Sequence, residues 1–144
     1  MSEQLTQPTN ELTDEQRAAW VRAQFQKANE YLATKGIIPE NVAVSESRYL
    51  PPLVAIWKLN TRDAKSFWVI SGDLPTDHMP LNSAPNAREA MRSFALHWQL
   101  KAEQIAQAGF SDQTQVDFAN LLVRRAEGLY DLFDNEQLWQ GTVS

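Results

Sequence analysis

Hydrophobic positions in the first part of the chain recur at helical spacing. Val21, Phe25, Ala28 and Leu32 follow one another by four, three and four residues, with Trp20 and Tyr31 beside the stripe. Thr13-Asp14-Glu15-Gln16 supplies a start, since the Thr13 hydroxyl can accept from the Gln16 amide while the Gln16 side chain reaches back. Lys35-Gly36 supplies a stop, with a cation near the last carbonyls and a glycine suited to a left-handed conformation. Residues 1–12 are polar and aperiodic, and a flexible N-terminal arm is expected there. Residues 13–144 are expected to form a single α+β domain.

Past Ile37-Ile38-Pro39 the period changes from helix to strand. Val42, Val44, Ser45, Ser47 and Tyr49 make a weak strand ending at Pro51-Pro52. Proline cannot donate to a ladder, so this stretch reads as an edge strand or an extended lead-in. Residues 53–59 and 66–71 are stronger, rich in β-branched and aromatic side chains on either side of a polar turn. A turn from Thr61 to Lys65 sets Leu59 opposite Phe67, Trp57 opposite Val69 and Ala55 opposite Ser71; a slip of one residue would change every pair. The other face carries Val54, Ile56, Lys58, Trp68 and Ile70. Both faces are largely apolar, whereas a solvated antiparallel hairpin has one polar face. Cover is therefore expected from helices on one side and from a second subunit on the other. The predicted homodimer uses the face bearing Ile56, Trp68 and Ile70.

Residues 73–85 contain Pro75, Pro80 and Pro85 and no period, which predicts a long loop of the kind that often carries function. Asn86-Ala87-Arg88-Glu89 then reads as a capping box. The helix it opens repeats Met91, Phe94/Ala95, Trp98, Ala102 and Ile105. Gly109-Phe110 ends it in Schellman style, with Phe110 folding back on Ile105. Ser111 or Asp112 caps a third helix, with a stripe of Val116, Ala119, Leu122/Val123, Ala126, Leu129/Tyr130 and Phe133. Phe118, Leu121 and Leu132 widen that stripe, so burial on more than one side is expected. Leu138 and Trp139 are expected to dock on the body. The predicted architecture is a small antiparallel sheet of two to three strands packed by three long α-helices.

Composition narrows the picture. With 43% hydrophobic and 22% charged residues, the 144-residue chain has ordinary globular values and enough length for one core. Cysteine is absent, which excludes disulfides, thiolate metal sites and a cysteine nucleophile, and suits a reducing compartment. The opening residues show no basic and apolar leader, and no long apolar run occurs, so a cytoplasmic protein without membrane contact is expected. A net charge of −5 disfavours nucleic acid as a partner. Arg124-Arg125 and Arg88/Arg92 read as solvated helix faces.

The most distinctive stretch is Ser71-Gly72-Asp73-Leu74-Pro75-Thr76-Asp77-His78, at the exit of the best strand. The candidate binding residues are Ser71, Gly72, Asp73, Thr76, Asp77 and His78, together with Trp68. Two carboxylates and an imidazole could hold a divalent ion or do acid–base work. The plainer reading is a β-turn at Leu74-Pro75-Thr76-Asp77, with Asp73 accepting amide hydrogen bonds. No metal-ligand spacing, phosphate loop or nucleophile elbow occurs, so no catalytic residue, metal ligand or cofactor is assigned. His97 reads as a helix-surface residue. Asp131, Asp134 and Glu136 read as a solvated acidic patch. Gly128, inside a helix, calls for close packing against another element. Lys58 and Trp68 are placed for a cation–π pair. Trp57, Trp68 and Trp98 read as core.

The runs from Tyr49 to Leu59 and from Phe67 to Asp77 resemble a family of small bacterial proteins known as a domain of unknown function, common in marine gammaproteobacteria. The Trp-Val-Ile-Ser-Gly-Asp-Leu-Pro-Thr-Asp segment carries that resemblance. It implies a stand-alone cytoplasmic protein and transfers no activity. The functional expectation is a non-enzymatic binding or interaction protein. The alternative is a small metal-binding protein or hydrolase-like enzyme using residues 71–78.

Overall fold

A reciprocal capping box opens the first helix: Gln16 N donates to Thr13 Oγ1 at 3.0 Å and Thr13 N to Gln16 Oε1 at 2.9 Å. The computed structural model describes residues 12–140, so nearly all of the expected N-terminal arm lies outside the described residues. Helix α1 spans Asp14–Thr34 and ends where Gly36 takes φ 75°. Five strands follow: β1 (Pro39–Val42), β2 (Arg48–Leu50), β3 (Val54–Thr61), β4 (Ser66–Gly72) and β5 (Asp77–Pro80). Helices α2 (Ala87–Ala108) and α3 (Gln113–Asp134) complete the chain with a closing 3-10 turn, Glu136–Trp139.

The sheet is antiparallel, with the order β1-β3-β4-β5 and β2 also paired to β3. It therefore has five strands where the sequence pattern predicts two to three. The weak stretch before Pro51 is interrupted by a 3-10 turn, Val44–Glu46, and forms β1 and β2 on the same flank of β3. Ser47 bridges the interruption: Lys58 N donates to Ser47 Oγ at 2.9 Å, a side chain standing in for a ladder acceptor. The fifth strand lies inside the segment expected to be a loop. Pro80 gives no amide to a ladder, and an edge strand is where that is tolerated. A 3-10 turn, Leu81–Ser83, follows it, and the Trp68 indole donates to both Leu81 O and Ala84 O, at 3.1 and 3.0 Å.

The hairpin register agrees with the sequence reading. Leu59 opposes Phe67, Trp57 opposes Val69 and Ala55 opposes Ser71. Helix α1 packs on the face bearing Ala55, Trp57, Leu59 and Val69, where Ala28 and Leu32 are its buried apolar residues. The opposite face, with Val54, Ile56, Trp68 and Ile70, packs against α2 and α3. The expected dimer surface is corrected by this layer: Ile56 and Ile70 have no exposure and Trp68 only 2%, because the chain's own helices cover them. Two-sided apolarity marks a central sheet between helical layers. Lys58 does face Trp68 in register, but its ammonium pairs with Glu46 at 2.7 Å and the indole turns to Leu81 and Ala84.

Asn86 caps α2 through the Glu89 amide and Asp112 caps α3 through the Gln115 amide. The two helices pack along one another. Phe110, expected to fold back, stays exposed. On α3 the buried residues are Ala119, Leu122, Ala126 and Leu129, while Phe118 and Val123 reach solvent, so this helix has one buried side rather than two. The closing turn docks as expected, with Trp139 buried and Leu138 against the core. Arg88 fastens it, donating to Phe133 O at 2.7 Å and pairing with Glu136 at 3.0 Å. That pairing holds the Glu136 carboxyl below its ordinary pKa.

Candidate functional site

The segment from residue 71 to 78 does not act as one unit, and Gly72 is where it divides. Its φ is 141°, and a Cβ there would run into Leu53 O and come within 2.9 Å of the Val54 Cα. The close approach lets Asp73 N donate to Leu53 O at 2.9 Å. The Gly72 carbonyl in turn accepts from Lys27 Nζ of α1 at 3.1 Å. Before the division, Ser71 is fully buried. It accepts from the Trp57 indole at 3.0 Å and donates to Gln24 O at 3.2 Å, so its hydroxyl joins α1 to the sheet and has no exposed role. Trp68 is likewise core. Neither can meet a ligand from solvent.

Past Pro75 the chain returns along β4, with Asp77 opposite Ile70 and His78 opposite Val69. Thr76, just before, is half-buried. Asp77 gathers donors from both layers. Trp98 Nε1 of α2 reaches Oδ2 at 2.9 Å, while the His78 amide and the Tyr31 hydroxyl of α1 reach Oδ1 at 2.8 and 3.3 Å. The Tyr31 hydroxyl also lies 2.9 Å from His78 Nδ1. A hydroxyl donates once, so Tyr31 gives its proton either to Asp77 or to His78. In the first case the His78 Nδ1–H donates to the tyrosine oxygen. The rings of Tyr31 and Phe67 meet the imidazole edge-on.

Burial, followed by the Asp77 charge and hydrogen bond, pushes the Tyr31 hydroxyl up to about 12. Burial pulls the His78 imidazole below its ordinary value, with Lys35 adding to the effect and Asp77 opposing it. Tyr31 is thus a protonated donor at neutral pH, and the neutral form of His78 is favoured. His97, on the helix surface as expected, comes within 3.9 Å of Asp77 Oδ2. The cluster ties the two helical layers together across the free sheet edge. Among the described residues, no three His, Asp or Glu side chains converge as a metal site needs, and Asp73 takes no part in the cluster.

Asp73 and Leu74 instead form one wall of a groove of about 330 Å³, with α3 as the opposite wall. Leu53, Leu74 and Leu132 give it apolar surface over the buried Val54 and Leu129, and Arg124, Arg125 and Asp131 join Asp73 as its charged residues. Gly128 lies between them on α3. A Cβ at Gly128 would meet nothing within 4 Å, so the close packing expected around this glycine is absent and it leaves the wall bare. Arg125 Nε is buried without a hydrogen-bond partner. Among the described residues, neither Arg124 nor Arg125 has an ion pair. The pattern of charges places these arginines on solvated faces and does not reveal the groove, although an interior helical glycine three and four residues after two arginines is a visible signal.

Three features define the class: a central antiparallel sheet, α1 on one face with α2 and α3 on the other, and a groove at the exit of the central hairpin. The protein is an α+β domain with a mixed apolar and charged groove. The chain belongs to the family described as Domain of unknown function (DUF4826), whose model matches residues 14–139. No curated protein and no solved structure matches it. No helix of the described residues is long and apolar enough to cross a membrane.

Proposed function

We propose that the protein is a non-enzymatic binding protein that holds a small amphipathic ligand in the groove between Asp73-Leu74 and α3. One observation carries this reading: apolar walls and unpaired charges meet around Gly128, a helical position left without a side chain and without a neighbour. An interior glycine costs a helix about 1 kcal/mol relative to alanine. Open space at that position supports close approach by something outside the chain. The volume of about 330 Å³ falls at the small end of the roughly 300–1,000 Å³ typical of ligand pockets.

The enzymatic alternative has less support. Both Asp77 oxygens are engaged by protein donors, Ser71 is sealed in the core, and Asp73 faces the groove, so the polar residues of this segment share no centre. A cysteine-free chain and the resemblance of its central hairpin to small bacterial proteins support a bacterial cytoplasmic setting.

The test is a screen of small amphipathic compounds by amide NMR spectra. The expected result is a set of shifts centred on Leu53, Leu74, Gly128 and Leu132 that is lost in Gly128→Leu. Shifts centred on Asp77 and His78 instead, or none at the groove with any compound, would overturn the proposal.

A further inference from the structure

The groove has two poles. On α3, Arg124 and Arg125 lie one turn before Gly128, and Asp131 lies one turn after it, with Leu129 and Leu132 between and beside them. At a rise of ~1.5 Å per residue, the cationic and anionic positions are about 10 Å apart along the helix. An extended peptide covers ~3.3–3.6 Å per residue, so about three residues match that separation. Bare helix backbone at Gly128 allows another backbone to lie close across it. The apolar wall of Leu53, Leu74 and Leu132 would take aliphatic side chains.

The charges also set a direction. Arg124 and Arg125 both line the groove, neither has an ion pair among the described residues, and a carboxylate is the planar partner that fits a guanidinium fork. At the other pole, Asp131 stands near the negative end of the helix dipole, where an ammonium is favoured. A ligand with a single anionic group would leave Asp73 and Asp131 unmatched.

We infer that the groove binds a short apolar peptide with free termini, its carboxylate on Arg125 and Arg124 and its ammonium at Asp131, with its backbone crossing α3 at Gly128. The inference rests on the groove being the binding site.

The test uses Leu-Ala-Leu in four forms: free, N-acetylated, C-amidated and capped at both ends. Binding to the full chain is measured by calorimetry and amide NMR. The free peptide is expected to bind with shifts at Leu74, Gly128 and Leu132, and each cap should weaken binding about tenfold or more. In Arg125→Gln the penalty for amidation should vanish, and in Asp131→Asn the penalty for acetylation should vanish. Gly128→Leu, with helix content unchanged by circular dichroism, should bind none of the four.

Tight binding of the acetylated form would overturn the inference and point to the C-terminal tail of a protein. Equal binding of the doubly capped form, or groove shifts with octanoate or octylamine but with no peptide, would overturn it while leaving the groove as a binding site. No groove shift with any of these six probes would overturn both.

Discussion

Trp98 Nε1 donates to Asp77 Oδ2 at 2.9 Å, joining α2 to the edge strand β5. The other oxygen of the same carboxylate lies 3.3 Å from the Tyr31 hydroxyl of α1. One side chain thus connects helices on opposite faces of the sheet, at the edge where no further strand pairs among the described residues. Asp77→Ala leaves the half-buried Tyr31 and the indole N–H of Trp98 without this acceptor. Such losses cost ~1–3 kcal/mol, to be read as a lower urea midpoint at unchanged m. Loss of less than about 0.5 kcal/mol would show that the tie contributes nothing.

Asp77→Asn should move two neighbouring groups, both downward. Tyr31 loses the charge that helps hold it at about 12, though burial, the larger cause, keeps it above its ordinary value. His78 loses the one influence that raises it, and so should titrate lower than in the parent. An absorbance titration of tyrosine and an NMR titration of the imidazole read the two shifts separately.

The same groups contribute to the pH dependence of stability. His78 is depressed in the fold, so below its ordinary value of 6.5 the unfolded chain takes up the proton first. That contribution is present above pH 6.5 and is lost as pH falls through the folded value. Tyr31 is raised from 10.0 to about 12, so the unfolded chain loses its proton first and stability declines as pH rises between those values. His78→Gln should make the acid limb shallower and Tyr31→Phe the alkaline limb shallower in denaturation measured across pH.

Gly72→Ala meets two penalties together. The backbone sits at φ 141°, and the new methyl would strike Leu53 O and the Val54 Cα. Unfavourable backbone alone costs about 1–3 kcal/mol, and the contact with main chain cannot be relieved by a rotamer change. The expected outcome is a substantial fall in thermal midpoint together with faster hydrogen exchange at Asp73. A variant as stable as the parent would mean that this crossing can loosen without loss.

Ser71→Ala tests the seam between α1 and the sheet. It strands the Trp57 indole N–H in the core and removes a donor from Gln24 O. The expected loss is ~1–3 kcal/mol. The cavity-free alternative Ser71→Thr should not restore it, because the site has no exposure into which a methyl could turn. Chemical denaturation followed by tryptophan fluorescence checks both.

Much of the architecture could be read from local pattern. The caps at Thr13, Asn86 and Asp112 are short-range hydrogen bonds set by neighbouring residues, and all three form. The register of Val54–Thr61 against Ser66–Gly72 followed from side-chain alternation and the length of the turn between them. Strand β5 was hidden because Pro75 and Pro80 erase the alternation that identifies a strand, and its pairing depends on the free edge of β4. Two-sided apolarity in the hairpin was visible, but not the source of its cover, since a helix from the same chain and one from a second copy leave the same pattern.

The residues from Ser71 to His78 show the same boundary most sharply. Sequence alone determined that they leave the central hairpin through a glycine, because that is a local backbone preference. Only the tertiary structure decided that Ser71 faces α1, that Asp73 and Leu74 face Arg124 and Arg125, and that Asp77 and His78 meet Tyr31 and Trp98. Those partners are distant in the chain. Their meeting depends on how three helices pack around one sheet, which local spacing does not encode.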